Sequence, residues 1–394
     1  MKVAIVQEHV AVQRGGAETS TVELAQHLAE LGLDVSVVCA AGSAAPGAAH
    51  GVRFIAAPAD GPSRAWRTYR FVQAAREICR SGSFDIVHAI TPCLSAQVYQ
   101  PRGGTYAETV ARSLAPVRSA LWRGLKRCAR RFNMRQRFLL RLEQTLLGKY
   151  SSRVVVAALS DYVRRQVVEG LSFPAARTRV IFNGVDITPP APAEATELRA
   201  ALRRNYGWSA DTPVLLLAAH NFRLKGLAEL LHAAADPTAR DWQIVVAGRD
   251  NPWPYLRLAA RLGLAGRVHF VGTQRPLVHW YVTVDVLAHP TWYDPCSRVV
   301  LEAVSLGLPV VTTRYNGASE VLVPGRHGAI IAEPDDAAEL TAALQQALQP
   351  AVRRACQADA PRLREHLSMR RHARDLATLY EDLLAGRAEA PTGD

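Results

Sequence analysis

The stretch His289–Thr313, HPTWYDPCSRVVLEAVSLGLPVVTT, reads as strand, loop, helix and strand in succession. An apolar run ends at His289 and a short loop carries Asp294 and Pro295. A proline suits the first helical position, where the amide it lacks would have no partner. Val299, Val300, Ala303, Val304 and Leu306 recur with helical spacing up to Gly307, and PVVTT then returns to strand-forming residues. A strand feeding a helix that feeds the next strand is the building unit of a parallel sheet. In an open sheet of that kind ligands collect beyond the carboxyl ends of the strands, so the loop 290–298 lies where a substrate would sit.

The same alternation extends outward on both sides. Val214–Ala218, Gln243–Ala247, Val268–Val271, Val284–His289, Val310–Thr313 and Ala329–Ile331 form one strand series. Lys2–Val6, Val35–Cys39, Val52–Ala56, Phe84–Ile90, Val154–Leu159 and Arg179–Phe182 form an earlier one. Several are continuous apolar runs, as expected of parallel strands covered on both faces. The helix between the first two, about Ala17 to Leu31, carries Leu24, Leu28 and Leu31 on one side and ends at Gly32. After Asp186 the run ITPPAPAEATE has the composition of a linker. The expectation is an α/β chain of two Rossmann-like domains facing a cleft, 1–186 and 198–368, joined by a linker at 187–197. A C-terminal helix within 369–394 could pack back onto the first domain.

A length of 394 residues suits two cores rather than one, and 49% hydrophobic with 21% charged residues is a globular composition. The opening MKVAIVQEHV lacks the long apolar region of a secretory signal, and no apolar run approaches the ~18 residues of a membrane span. A cytoplasmic protein is expected. The six cysteines are scattered singly with no C-x-x-C pair, so reduced thiols and no structural zinc are expected.

The formal charge of +12 is concentrated: residues 112–141 hold ten Lys or Arg and no Asp or Glu. Within 107–147, Arg123, Arg127, Arg130, Arg137 and Arg141 fall near one helical face and Leu125, Ala129, Phe132 and Leu139 on another. Such a stretch is either a solvated basic face or a surface for an anionic partner. An anionic membrane leaflet or a phosphate-bearing glycolipid fits. Nucleic acid is not expected, because no helix-turn-helix, RNP-type or zinc-finger pattern accompanies the charge.

Around the loop 290–298, the amides of Cys296, Ser297 and Arg298 would open a helix unpaired, which favours an anion such as a diphosphate. Asp294 and Glu302 flank this turn eight positions apart, roughly 12 Å along an ideal helix. In isolation Asp294 can be an N-cap and Glu302 a surface charge. In VLLLAAHNFRLKGLAELLHAA, Arg223 and Lys225 follow an apolar strand. They read either as two solvated loop cations or as a pair that neutralises a departing diphosphate. Gly248 in VVAGRDN permits close backbone approach or serves a turn. Gly15 and Gly16 in QRGGAE form a strand-to-helix turn, and His88 ends a strand, where histidine is often structural.

The segment HPTWYDPCSRVVLEAVSLGLPVVTTRYNGASEVL resembles the donor-binding signature of the retaining, GT-B-fold glycosyltransferases of family 4: two acids separated by seven residues, a Gly-x-Pro-Val strand, and an Asn-Gly turn ahead of a Glu. Its YDPCS and NGASE forms resemble the branch of the lipopolysaccharide core glucosyltransferase I. The resemblance implies that Glu302 holds the nucleotide ribose and that Asp294, with the turn through Cys296, Ser297, Arg298 and Val299, contacts the donor sugar. It implies that Arg223 and Lys225 bind the phosphates, that Gly248 and the VHFVGTQ loop border the nucleotide, and that Gly16 faces donor and acceptor.

Two positions depart from the pattern. Asp294 stands where Glu is usual, and VYQPRGGTYAE sets Arg102 or Gly103 where a His or Asp is common, with His88 as the alternative. The implied activity is retaining transfer of a hexose from a nucleotide-diphosphate sugar, a UDP-sugar favoured, to a glycan or glycolipid such as lipopolysaccharide core. Asp294, Arg223 and Lys225 would sit at the reacting centre, and no cofactor or metal is implied. The rival readings are a sugar-nucleotide epimerase, for which the cleft lacks acid–base residues, and a non-catalytic membrane- or nucleic-acid-binding protein on the same scaffold.

Overall fold

The computed structural model describes residues 1–10, 16–43, 51–117, 119, 121, 124, 125, 128 and 132–387. The chain divides into two compact units: Met1–Gly184 together with the segment from Ser368, and Val185–Leu367.

The first unit is built on a seven-stranded parallel sheet. Its strands are β1 (Lys2–Val6), β2 (Asp34–Ala40), β3 (Val52–Ala57), β4 (Ile86–Ala89), β5 (Val98–Tyr99), β6 (Val155–Ala158) and β7 (Thr178–Val180), in the order β3-β2-β1-β4-β5-β6-β7. The continuous apolar runs follow from two covered faces. Ala4 and Val6 pack with Phe71, Val72 and Ala75 of the helix Arg64–Ser81 on one side, and Val3 and Ile5 with Leu24 and Leu28 of the helix Gly16–Glu30 on the other. The second face is completed by Met369, Ala373, Leu376 and Tyr380 of the C-terminal helix Met369–Leu384. Leu31, expected on the buried side of the first helix, falls past its end and is exposed, because the chain already turns at Gly32 with φ +87°.

The second unit repeats the plan with six parallel strands: β8 (Val214–Ala218), β9 (Gln243–Ala247), β10 (Val268–Gly272), β11 (Val286–His289), β12 (Val310–Thr313) and β13 (Gly328–Ile331), in the order β10-β9-β8-β11-β12-β13. Asp285, at the start of β11, ties the unit together. It pairs with Arg203 at 2.7 Å and also with Arg199 and Arg353, from the helices Pro192–Asn205 and Pro350–His366. Residues 192–197, expected within a linker, are thus the first turns of a helix whose Pro192 sits at its first position, where a proline costs no hydrogen bond.

The basic stretch is not one continuous helix. The helix Tyr106–Arg112 ends in a turn at residues 113–116, and the helix Met134–Gly148 follows. Its charges are also not all uncompensated: Arg112 pairs with Glu108 at 2.8 Å and Arg135 with the buried Glu8 at 2.6 Å. Gly15 and Arg118, Arg123, Lys126, Arg127, Arg130 and Arg131 lie outside the described residues.

Candidate functional site

The loop after β11 is held open by bonds the linear sequence does not announce. Trp292 N donates to Leu224 O at 2.9 Å, and Asp294 N donates to Tyr315 O while Gly317 N donates to Asp294 O, at 2.9 and 3.0 Å. The loop therefore runs beside residues 315–317 like a short added strand, with Asp294 bridged to Asn316. The fully buried Asn316 is the organiser. Its Oδ1 accepts from Ser297 N at 3.2 Å and Ala318 N at 3.0 Å, and its Nδ2 donates to Thr312 Oγ1 at 3.0 Å.

This corrects the expected helix start. The helix spans Arg298–Ser305 rather than opening at Pro295, and Asp294 is not its N-cap. The Ser297 amide, expected to be unpaired, is taken by Asn316. Ideal-helix spacing therefore does not describe Asp294 and Glu302.

Around Asp294 the structure assembles a charge cluster. Lys225 Nζ donates to Asp294 Oδ2 at 2.6 Å and to Tyr293 O at 2.9 Å, and His289 Nε2 lies 3.5 Å from the same Oδ2. Burial would raise the Asp294 carboxyl, but the Lys225 ammonium and His289 outweigh it and hold it well below the usual carboxylate range. Burial, joined by the Lys225 charge, pushes His289 down, so its ring is neutral near pH 7. Lys225 is thus not a solvated loop cation. It is partly buried and half-neutralised, and a diphosphate would approach a cation already fixed in place.

Glu302 sits one helical turn beyond Arg298. Tyr281 Oη donates to Glu302 Oε2 at 2.9 Å, and Arg298 Nη2 lies 3.5 Å from Oε1. Burial and the Glu302 charge push the Tyr281 phenol well up, keeping it a hydrogen-bond donor. Cys296 is buried and Val299 half-buried at the same turn.

Arg223 lines an open depression of about 350 Å³ with His220, Asn221, Asp250, Asn251, Pro254 and Tyr255, at the carboxyl ends of β8 and β9. No hydrogen bond or ion pair engages its guanidinium among the described residues. Burial lowers His220, and the nearby Arg249 and Arg275 lower it further, so this region is electropositive. Sequence reading did not single out His220, Asn251 or Tyr255, which carry no pattern of their own. Their only signal was position after strands β8 and β9.

Two glycines have a packing reason to be glycine. A Cβ on Gly226 (φ +77°) would collide with Pro290 O, and one on Gly248 (φ +149°) with Ala219 O. Each lets two strand-end loops touch.

In the first unit, Gly16 opens the helix Gly16–Glu30, and Gly103 stands at an exposed turn. His88 is fully buried, with Nδ1 2.6 Å from Tyr380 Oη, and burial together with Arg102 lowers its ring to about 3. Arg102 is buried as well, donating to Gln100 Oε1 at 2.9 Å and to Ser20 Oγ, with His372 Nε2 3.2 Å away. Both residues contact the C-terminal helix, His88 through Tyr380 and Arg102 beside His372, while His88 Nε2 has no hydrogen-bond partner among the described residues.

Among the described residues no group of three or more His, Cys, Asp or Glu could hold a metal ion, and no helix is long and apolar enough to cross a membrane.

Comparison with known proteins gives these geometries a context. The family described as Glycosyltransferase Family 4 matches residues 14–188, and that described as Glycosyl transferases group 1 matches residues 212–350. The lipopolysaccharide glucosyltransferase WaaG of Escherichia coli K12 is 29% identical over 153 residues, covering 38% of this chain and 41% of that protein. A D-inositol 3-phosphate glycosyltransferase of Kribbella flavida is 29% identical over 375 residues, covering 84% and 82%. The matches span about half the length of most curated relatives. In fold, the crystal structure of WaaG aligns over all of both chains with a TM-score of 0.73 at 22% identity. The Anabaena protein HepE in complex with UDP and glucose aligns with a TM-score of 0.71 at 19% identity, covering 97% of this chain and 99% of that one.

Proposed function

We propose that this chain, which belongs to the family 4 glycosyltransferases of GT-B fold, moves a hexose with retention from a nucleotide-diphosphate sugar to a glycan or glycolipid. The observation that carries the reading is the Lys225–Asp294 pair, set beside the amino end of the helix Arg298–Ser305 with Glu302 on that helix and the unengaged Arg223 nearby. Glu302 holds the ribose. Asp294, whose Oδ2 serves Lys225, offers its other oxygen to the donor sugar. As the acceptor hydroxyl bonds to the anomeric carbon, the bond from that carbon to the diphosphate breaks, and the leaving diphosphate takes up the hydroxyl proton. Arg223, Lys225 and the amino end of the helix Arg298–Ser305 stabilise the charge that grows on it, so these protein groups do the electrostatic work without a cofactor.

A UDP-sugar is the favoured donor, consistent with the UDP complexes among the fold relatives. The acceptor we favour is a lipopolysaccharide core, in keeping with the lipopolysaccharide named for the WaaG relative, and the inositol phosphate named for the Kribbella relative is the second reading. Peripheral contact with an anionic membrane through residues 112–141 is supported by Leu121, Leu125, Phe132 and Met134, all exposed. Co-sedimentation with vesicles should require anionic lipid and fall with salt; binding indifferent to both rejects the contact. Incubation with UDP-, GDP- and ADP-sugars tests the activity itself. Nucleotide release that rises with a lipid-extract acceptor is expected, and a protein that neither binds nor turns over any of them refutes the reading.

A further inference from the structure

Two buried polar atoms on the loop after β11 have no partner among the described residues: Trp292 Nε1, in a side chain 7% exposed, and His289 Nδ1, in one 1% exposed. Buried polar atoms in folded proteins are nearly always paired, so two orphans within four residues call for a reason. Looseness is not that reason. Trp292 N and Thr291 Oγ1 both donate to Leu224 O, and Thr313 Oγ1 donates to Thr291 O at 2.6 Å, so the backbone carrying the indole is pinned on both sides.

The two atoms ask for opposite things. An indole N–H can only donate. His289 Nε2 faces the Asp294 carboxylate and Ser297 Oγ, at 3.5 and 3.3 Å, and a carboxylate can only accept, so Nε2 carries the ring proton. With the ring neutral, Nδ1 is then a bare acceptor. A phosphate oxygen could satisfy the indole but has no proton for Nδ1. Hydroxyl groups both accept and donate, and the hexose is the part of a nucleotide sugar richest in them.

We propose that Trp292 and His289 bind the hexose of the donor, the indole N–H giving a hydrogen bond to a sugar hydroxyl oxygen and Nδ1 accepting one from a sugar hydroxyl. The inference rests on the nucleotide-sugar reading above and assigns the sugar-selective part of that site. It also gives the shorter Asp294 a setting: the loop recognises the hexose with two further side chains, and the carboxylate is shared with Lys225.

The test separates the two levels. Calorimetric titration of the unmodified protein with UDP-glucose and with UDP, and with the matching GDP and ADP pairs, identifies the nucleotide that binds. W292F keeps the ring and removes the N–H. H289Q keeps an amide N–H where Nε2–H stood and removes the acceptor at Nδ1. Each should weaken binding of the nucleotide-glucose by about 3- to 10-fold, the loss of one hydrogen bond, while leaving the bare nucleotide unchanged. Equal weakening of both ligands, or a lower melting temperature with no change in either affinity, overturns the assignment and leaves the donor reading standing. A folded unmodified protein that binds no member of the panel overturns both.

Discussion

The two sheets place a histidine on equivalent strands and use it in opposite ways. β4 and β11 each pair with the first strand of their unit, β1 and β8. His88 is the third residue of β4 and His289 the last of β11, and both are buried with rings lowered into the neutral form. His88 pairs in register with Ile5, on the face covered by the C-terminal helix, and meets the Tyr380 hydroxyl. His289 stands where its strand gives way to the loop, and meets Asp294 and Ser297. What surrounds the strand end, rather than the residue type, turns one toward the C-terminal helix and sets the other on the loop of the proposed donor site.

The strongest way to break this contrast is at Asp294. Asp294→Ala leaves Lys225 without its counter-charge and should cost roughly 2–4 kcal/mol of stability as well as reduce donor turnover by more than about 100-fold. Thermal melting together with nucleotide-release rates checks it, and near-normal turnover would remove Asp294 from the site. Glu302→Ala comes next. Nucleotide affinity should fall about 10- to 100-fold, the loss of hydrogen bonds to a charged group, with a small change in melting temperature. An unchanged dissociation constant refutes the ribose role.

On the structural side, Tyr380→Phe removes the 2.6 Å bond to His88 and should cost about 1 kcal/mol in urea unfolding with no change in nucleotide affinity. Altered affinity would mean that His88 serves more than the core. A further effect concerns pH. His88 titrates near 3 in the folded chain, below the ordinary histidine value, so the unfolded chain binds the proton first as pH falls. Its stabilising contribution is complete above about pH 6.5 and is lost progressively toward pH 3. His88→Gln should flatten the fall in urea midpoint over that window, and an unaltered slope would contradict the burial argument.

Legibility in the sequence followed the range of the interactions. β8, β9 and β12 appear with the bounds expected from their apolar runs, because two covered faces leave a local mark. β5 leaves no mark of its own in the apolar pattern: two residues, Val98 and Tyr99, carry no periodicity and are strand only through β4 and β6. In the site the residue types were legible but their partnerships were not. The Lys225–Asp294 contact spans 69 positions, and the Asn316 side chain that moves the helix start to Arg298 acts from 19 positions away. Arg135 looked uncompensated because its partner, Glu8, lies 127 residues earlier. Local pattern shows where chemistry can sit, and long-range pairing decides how it is wired.

The return of the helix Met369–Leu384 to the first unit sets an order of events during synthesis. Met369, Leu376 and Tyr380 complete one face of a core whose other members, from Val3 to Ile181, all precede the second unit in the chain. On a ribosome, the second unit, Val185–Leu367, is continuous and complete before those residues emerge, whereas the first must hold Val3, Ile5 and Leu24 uncovered until then. The half of the protein that begins first therefore finishes last, and a chain stopped before Tyr380 carries an intact second unit beside a first one that cannot close.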